Sequence, residues 1–343
     1  MFRYRARTAA VLTAAAATTL TLTAAPASAA TTTNPGRVAS GWLARQMTNR
    51  NHFTVTYDGV TYPDQGLTID AIFAFASTKT ADNYASRALT WLARPYIMSN
   101  YIGNGTTSAY AGATANLMLA VEVRGGNPAS FGGVNLETRL AGLLTASGRY
   151  SDVSKYGDNS NALSQSLAII GTSRLGGAPA SAVSFLAGSE CANGGFPIYF
   201  AQSTCVSDPD ATGMAVQALL AAGDSAAADR GLNWLGRVQQ ANGGFATTPK
   251  GNPNTNSTGL AGEALAAGNW SAQAAVAKSW LLSMQVGCTG KAFAQGALAY
   301  NKFGFRKGTA ALATAQGILG LAGVPLYTLS AQGSAAGDPE LSC

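Results

Sequence analysis

Apolar residues recur at helical spacing in twelve stretches, and the stretches come in two kinds that alternate along the chain. One kind ends in an aromatic-Leu pair and often a Gln. A Gly-rich turn follows it, and then an Ala-rich stretch with one polar residue just before an aliphatic end. The clearest copy runs Trp234-Leu235, Gln239, Asn242-Gly243-Gly244-Phe245 and then Thr258 to Ala267. The pattern predicts outer helices over 37–48, 80–94, 134–147, 178–189, 224–240 and 271–286. It predicts inner helices over 65–77, 108–123, 160–171, 209–222, 257–267 and 309–322. Asp208 and Asn256 stand where an N-cap would satisfy the free amides of the following helix.

Aligning the inner stretches brings one polar residue of each into a column: Asp70, Asn116, Gln165, Gln217, Glu263 and Gln316. Successive members are 46, 49, 52, 46 and 53 residues apart. A long recurring period marks supersecondary units that bury their apolar faces only against one another. Four units carry a Gly four residues before the column, at Gly66, Gly112, Gly213 and Gly259, so each polar group shares a helix face with a missing side chain. The end units lack polar caps, which favours closure. The expected fold is therefore all-α, an (α/α)6 toroid of six helix pairs over residues 31–326. The six column residues are expected to face its axis and to bind ligand.

Composition changes the picture at the ends. Arg3, Arg5 and Arg7 precede an Ala/Thr/Leu stretch that closes on Ala27-Ser28-Ala29, so residues 1–30 read as a secretory signal peptide and the protein as secreted and extracellular. Without those three arginines the formal net charge falls from +6 to +3. No basic run remains for nucleic acid, and no apolar stretch of spanning length follows for a membrane anchor. Residues 327–343 form a short Ser/Gly/Ala-rich C-terminal tail. Four cysteines permit three pairings, of which proximity favours Cys191–Cys205 and Cys288–Cys343. With His52 as the only histidine and no C-x-x-C, a Cys/His metal site is not expected.

Gln239-Gln240-Ala241-Asn242-Gly243-Gly244-Phe245 resembles the glutamine-aromatic repeat of squalene cyclases and protein prenyltransferases, with a weaker copy at Ser189 to Phe196. The resemblance covers roughly residues 37–326 and implies an α/α toroid. Class II terpene cyclases of this fold carry a D-x-D-D motif whose central acid protonates substrate. Asp208-Pro209-Asp210-Ala211 is similar, with Asp210 at the central acid and Ala211 in place of the last Asp. Those cyclases also imply a second helical domain, for which this chain has no room. Gln316-Gly317-Ile318-Leu319-Gly320-Leu321, Pro325 and Tyr327 look similar to the end of the helical domain of the cobalamin carriers, whose ligand also needs a β-domain. The whole layout is similar to secreted bacterial prenyltransferase/squalene-oxidase repeat proteins.

Other chemistry finds little support. One histidine and no nucleophile elbow exclude a Ser-His-Asp triad, and no glycine loop fits phosphate. Inner-helix carboxylates offer Asp70 and Glu263 as a dyad that would act on sugars. Tyr62, Phe73, Tyr110, Tyr199, Trp270 and Tyr300 are candidates to stack on sugars or to line an apolar pocket. The leading expectation is a binding protein without catalysis, its partner a small apolar or amphipathic ligand or an extracellular protein. Second comes a cyclase- or lyase-type enzyme using Asp210 or the Asp70/Glu263 pair, and third an extracellular scaffold with a filled core. No cofactor can be named.

Overall fold

The computed structural model describes residues 31–248 and 251–343. In chain order the elements begin with β1 (Thr31–Thr32), α1 (Pro35–Gln46), β2 (Phe53–Tyr57), β3 (Val60–Asp64), α2 (Gln65–Thr78), α3 (Asp82–Leu92), α4 (Pro95–Ile102), α5 (Ala111–Val123) and α6 (Leu136–Ala141). They continue with α7 (Ala162–Arg174), α8 (Ala180–Gly188), α9 (Pro209–Ala222), α10 (Ser225–Val238), α11 (Thr255–Ala267), α12 (Ser271–Ser283), α13 (Lys307–Ala322) and β4 (Glu340–Leu341).

Six of these helices form a closed inner ring: α2 packs on α5, then α7, α9, α11 and α13 follow, and α13 returns to α2. Outside them α3 covers α2, α6 covers α5, and α8, α10 and α12 each bridge two inner helices. The first outer helix, α1, packs on α13 and α2 and so covers the seam where the last unit meets the first. The fold is the expected all-α toroid of six pairs. Inner helices are covered on the outside and face one another within, which is why their sequences are apolar on nearly every side. Small residues let them approach: a Cβ on Gly259 of α11 would lie 2.2 Å from the Gln316 carbonyl oxygen on α13, and one on Gly213 of α9 would lie 3.0 Å from the Leu260 carbonyl oxygen.

A side-chain latch repeats around the ring. On four inner helices a Thr hydroxyl accepts the amide N–H of an apolar residue in the segment before the helix; Thr68, Thr212 and Thr258 stand in the first turn of α2, α9 and α11, and Thr314 about two turns into α13. The pairs are Phe53–Thr68, Phe196–Thr212, Phe245–Thr258 and Leu298–Thr314, each at 2.9 Å. Thr68, Thr212 and Thr258 donate in turn to the carbonyl four residues back. Each latch satisfies a buried amide and fixes the loop onto the helix.

The structure departs from the expected boundaries in four places. The hairpin of β2 and β3 and the extra helix α4 interrupt the first two units. Helix α6 is one short turn-and-a-half within the span expected to be helical to residue 147. Helix α11 starts earlier than expected, so Asn254, whose side chain accepts the Ser257 amide, is the N-cap in place of Asn256. Asp208 caps α9 as expected.

After α13 the chain straps across the C-terminal ends of the inner helices. The Leu326 and Tyr327 carbonyls accept from Arg174 on α7, and the Ala331 amide bonds the Val123 carbonyl on α5. Lys79, just past α2, donates to the Ser330 and Gln332 carbonyls. Leu326 and Leu329 are buried under this strap. The chain then pairs β4 in parallel with β1, and the Cys288–Cys343 disulfide ties it down. The other disulfide is Cys191–Cys205, so both bridges join the expected partners.

Candidate functional site

The ring encloses a cavity of about 160 Å³ lined by Asp70, Phe73, Asn116, Leu163, Leu167, Met214, Leu260, Gln316, Leu319 and Leu326. The latch explains this lining. Two residues beyond the latches Thr68, Thr212, Thr258 and Thr314 stand Asp70, Met214, Leu260 and Gln316. In the other two units the same place holds Asn116, two beyond Thr114, whose hydroxyl only donates to the Tyr110 carbonyl, and Leu167, two beyond Gln165, whose side chain accepts the Tyr150 amide. These six form one level of the wall. Leu163 lies one turn nearer the N-terminal ends of the inner helices. Phe73, Leu319 and Leu326 lie nearer the strap, which is the floor.

Of the six expected lumen residues, three stand at that level. Asp70 and Gln316 face each other from neighbouring helices α2 and α13, and the Gln316 amide favours the Asp70 carboxylate. Asn116 on α5 donates to the Tyr101 hydroxyl at 3.0 Å, so α4 sends one aromatic behind this arc. Asp70 keeps some surface open to the cavity yet sits deep in the barrel. Burial chiefly, and repulsion from Asp64, push its pKa from 3.8 to about 7, against the opposing pull of Gln316.

Gln217 and Glu263 stand one level deeper, at the height of Phe73 and Leu319, and are fully buried. Gln217 donates to Glu263 Oε2 at 3.1 Å and accepts the Leu326 amide at 2.9 Å. The pair therefore anchors the floor. Glu263 Oε1 has no hydrogen-bond partner among the described residues, and burial drives its pKa from 4.5 to about 8. Asp70 and Glu263 are not brought together. Asp70 is on α2 and Glu263 on α11, with α13 between them in the ring, and each lies beside its own amide, Gln316 or Gln217, so the expected dyad is not assembled.

Gln165 departs from the column altogether. It occupies the latch position of its unit, accepts the Tyr150 amide at 2.9 Å, and donates to the Gly148 and Ala182 carbonyls at 2.9 and 3.0 Å. All three partners belong to the outer layer, so its amide is turned away from the axis. Aligning by polar residue placed it two positions early and Gln217 and Glu263 three positions late. The Thr latches were the signal in the sequence that carried the true register.

Asp210 is on α9 two residues before its latch, one turn above Met214 towards the N-terminal mouth. Its Oδ1 is buried with no partner among the described residues, while Ser257 of α11 lies near the carboxyl and favours its charged form. Burial, and Asp208 beside it, raise its pKa to about 6. At the same height on α2 stands Gly66, where a Cβ would meet only Asp64 Oδ1, at 3.7 Å, so the wall one turn above Asp70 carries no side chain.

The sequence matches no protein-family model, and no curated protein matches it. Solved structures are similar in fold. Type II terpene cyclase MstE from Scytonema superposes with a TM-score of 0.63 at 15% identity, over 84% of this chain and 96% of that one. An unsaturated glucuronyl hydrolase specific for heparin gives 0.57 at 9% identity, over 84% and 95%. Protein geranylgeranyltransferase-I from Candida albicans gives 0.52 at 12% identity, over 77% and 88%. At such identities the likeness shows the fold: this chain is an α/α toroid of the prenyltransferase and squalene-cyclase kind. It also corrects one expectation. A single toroid accounts for 96% of the MstE chain, so a cyclase of that type does not require a second helical domain.

Proposed function

We propose that the central cavity is the working site and that it takes one small, mostly apolar ligand, or the apolar end of a longer one, against the carboxyl of Asp70. The observation that carries this is a single acid in a cavity otherwise walled by Leu, Met and Phe, backed only by the amides Gln316 and Asn116. With its pKa raised to about 7, the Asp70 carboxyl serves as donor as well as acceptor near neutral pH. Size limits the ligand. An apolar cavity of ~150 Å³ accepts benzene, and drug-sized sites run to roughly 300–1,000 Å³. The 160 Å³ here therefore suits a ring-sized group, with anything longer extending past Gly66 to the mouth. The two disulfides suit an oxidising, extracellular setting and a leader over residues 1–30, which lie outside the described residues. Native mass spectrometry of the exported protein tests the reading: a retained small molecule should appear as added mass in the wild type and disappear in Gly66→Phe. Equal mass in both, or no ligand from any apolar library by ligand-observed NMR, would refute it.

A catalytic form of this reading has separate support in Asp210. A buried carboxyl oxygen with no partner, a pKa raised to about 6 and a match to the central acid of the D-x-D-D motif together describe a proton donor of the cyclase type. The fold it shares with MstE is compatible with that chemistry. In that case Asp210→Asn removes turnover of an isoprenoid substrate and leaves its binding intact. Unchanged turnover in that variant sinks the catalytic reading and leaves the binding reading standing.

A further inference from the structure

Gln165 is the one latch residue that is not a Thr, and what it holds in place is a second concavity, on the outside of the ring. Its amide clamps the 147–150 turn, through Gly148 and Tyr150, to α8, through Ala182. Those two segments are the opposing walls of a surface pocket of about 480 Å³, within the ~300–1,000 Å³ range of small-molecule sites. The third wall is the loop closed by Cys191–Cys205, which carries Tyr199 and Phe200. The approach is tight: a Cβ on Gly148, whose φ is +86°, would lie 2.1 Å from the Ser181 carbonyl oxygen. The pocket is thus built by a clamp and a disulfide rather than left between loops.

Its lining has three chemical characters. Aromatic surface comes from Phe185 and Phe200, edge-to-face at 4.9 Å, and from Tyr199, which is 61% exposed. Uncharged polar groups come from Ser147, Ser184, Ser189 and Gln202. Net charge is absent. The one cation, Arg149, lies 3.0 Å from Asp158, donates to the Ser160 hydroxyl and carbonyl, and stacks over Phe200 at 5.3 Å. An anionic ligand finds no free counter-charge in this pocket, and a purely apolar one leaves its hydroxyls and amide unused. A pyranose satisfies both demands, with an apolar C–H face for the rings and a rim of hydroxyls for Ser and Gln side chains.

We propose that this pocket between the 147–150 turn, α8 and the 191–205 disulfide loop binds a neutral oligosaccharide, with Tyr199 and Phe200 as its stacking platform. It is independent of the central cavity and of any ligand there. Isothermal titration of the full-length exported protein with maltotetraose, cellotetraose and chitotetraose, and with a sulfated tetrasaccharide as the anionic comparison, tests it. At least one neutral sugar should bind, and the exposed-residue variant Tyr199→Ala should weaken that binding by roughly tenfold. Asp70→Asn, which alters the lumen, should not change it. The proposal is overturned if no neutral tetrasaccharide binds, if Tyr199→Ala binds as tightly as wild type, if the sulfated sugar binds more tightly, or if Asp70→Asn abolishes binding and so puts the sugar in the lumen.

Discussion

Glu263→Gln should make the protein more stable, and more so as the pH rises. Glu263 is fully buried, receives one hydrogen bond from Gln217, and has a pKa raised from 4.5 to about 8. The charged form is disfavoured in the fold, so between those two values the unfolded chain has released the proton while the folded chain still holds it. Stability therefore falls as pH rises from 4.5 through 8 and levels off above. The slope approaches about 1.4 kcal/mol per pH unit for one group, which amounts to about 3 kcal/mol at pH 7 and about 0.8 at pH 5. Gln is the same shape, its carbonyl accepts the Gln217 amide, and it carries no proton to lose. Asp70 and Glu122, both at about 7, and Asp210 at about 6, push in the same direction and remain in the variant. Calorimetric melting across pH 5 to 8 should show both proteins losing stability with pH, the wild type more steeply. At roughly 2 °C per kcal/mol for a chain of this size, the gap should be about 6 °C at pH 7. Parallel pH slopes would show that Glu263 is ionised in the fold, and a Gln variant that melts below wild type at pH 7 would show that burying its amide N–H groups where Glu263 Oε1 has no partner costs more than the ionisation; either result refutes the prediction.

Three further outcomes are expected. Thr258→Val strands the buried Phe245 amide and should cost about 1–3 kcal/mol by urea unfolding, whereas Thr258→Ser keeps the latch and should cost less. Gly259→Ala should destabilise by roughly 2 kcal/mol or more, because its Cβ would meet the Gln316 carbonyl oxygen at 2.2 Å; Gly66→Ala, whose Cβ would make only an ordinary contact of 3.7 Å with Asp64 Oδ1, should be neutral or stabilising by up to about 1 kcal/mol on the same assay. Cys343→Ser opens a loop of 55 residues and should cost up to roughly 4 kcal/mol, read as a lower melting temperature than wild type under non-reducing conditions.

The toroid was legible because its cause is periodic. Each unit needs an aromatic-Leu outer end, a Gly turn and an apolar inner helix, and all three leave marks in sequence. Both disulfides followed from spacing. The lumen was only half legible. Polarity alone makes the six column residues look equivalent, yet Asp70, Asn116 and Gln316 share a level while Gln217 and Glu263 sit deeper and Gln165 points outward. Register is set by what holds a helix to its loop, and that is a Thr hydroxyl, an unremarkable residue in an Ala/Thr-rich chain. Tyr101 was missed with α4, which lies between two units and obeys neither pattern. The floor was missed because a Ser/Gly/Ala-rich tail carries no periodicity. Its place comes from single anchors such as Arg174 on the Leu326 and Tyr327 carbonyls.

Closing the ring on itself has a consequence for how the chain comes into being. The contacts of α13 with α2 and α1, and of β4 with β1, join residues from opposite ends of the sequence. None can form until nearly the whole polypeptide has been made. Until then the seam face of α2 has no neighbour, and a growing chain is an arc with two sticky edges. Local helix pairs form fast, while the final joining waits on the longest loop closure in the molecule. Nascent five-unit chains are thus the species most exposed to mispairing with one another, and the last inner helix with its strap acts as the clasp that ends that risk.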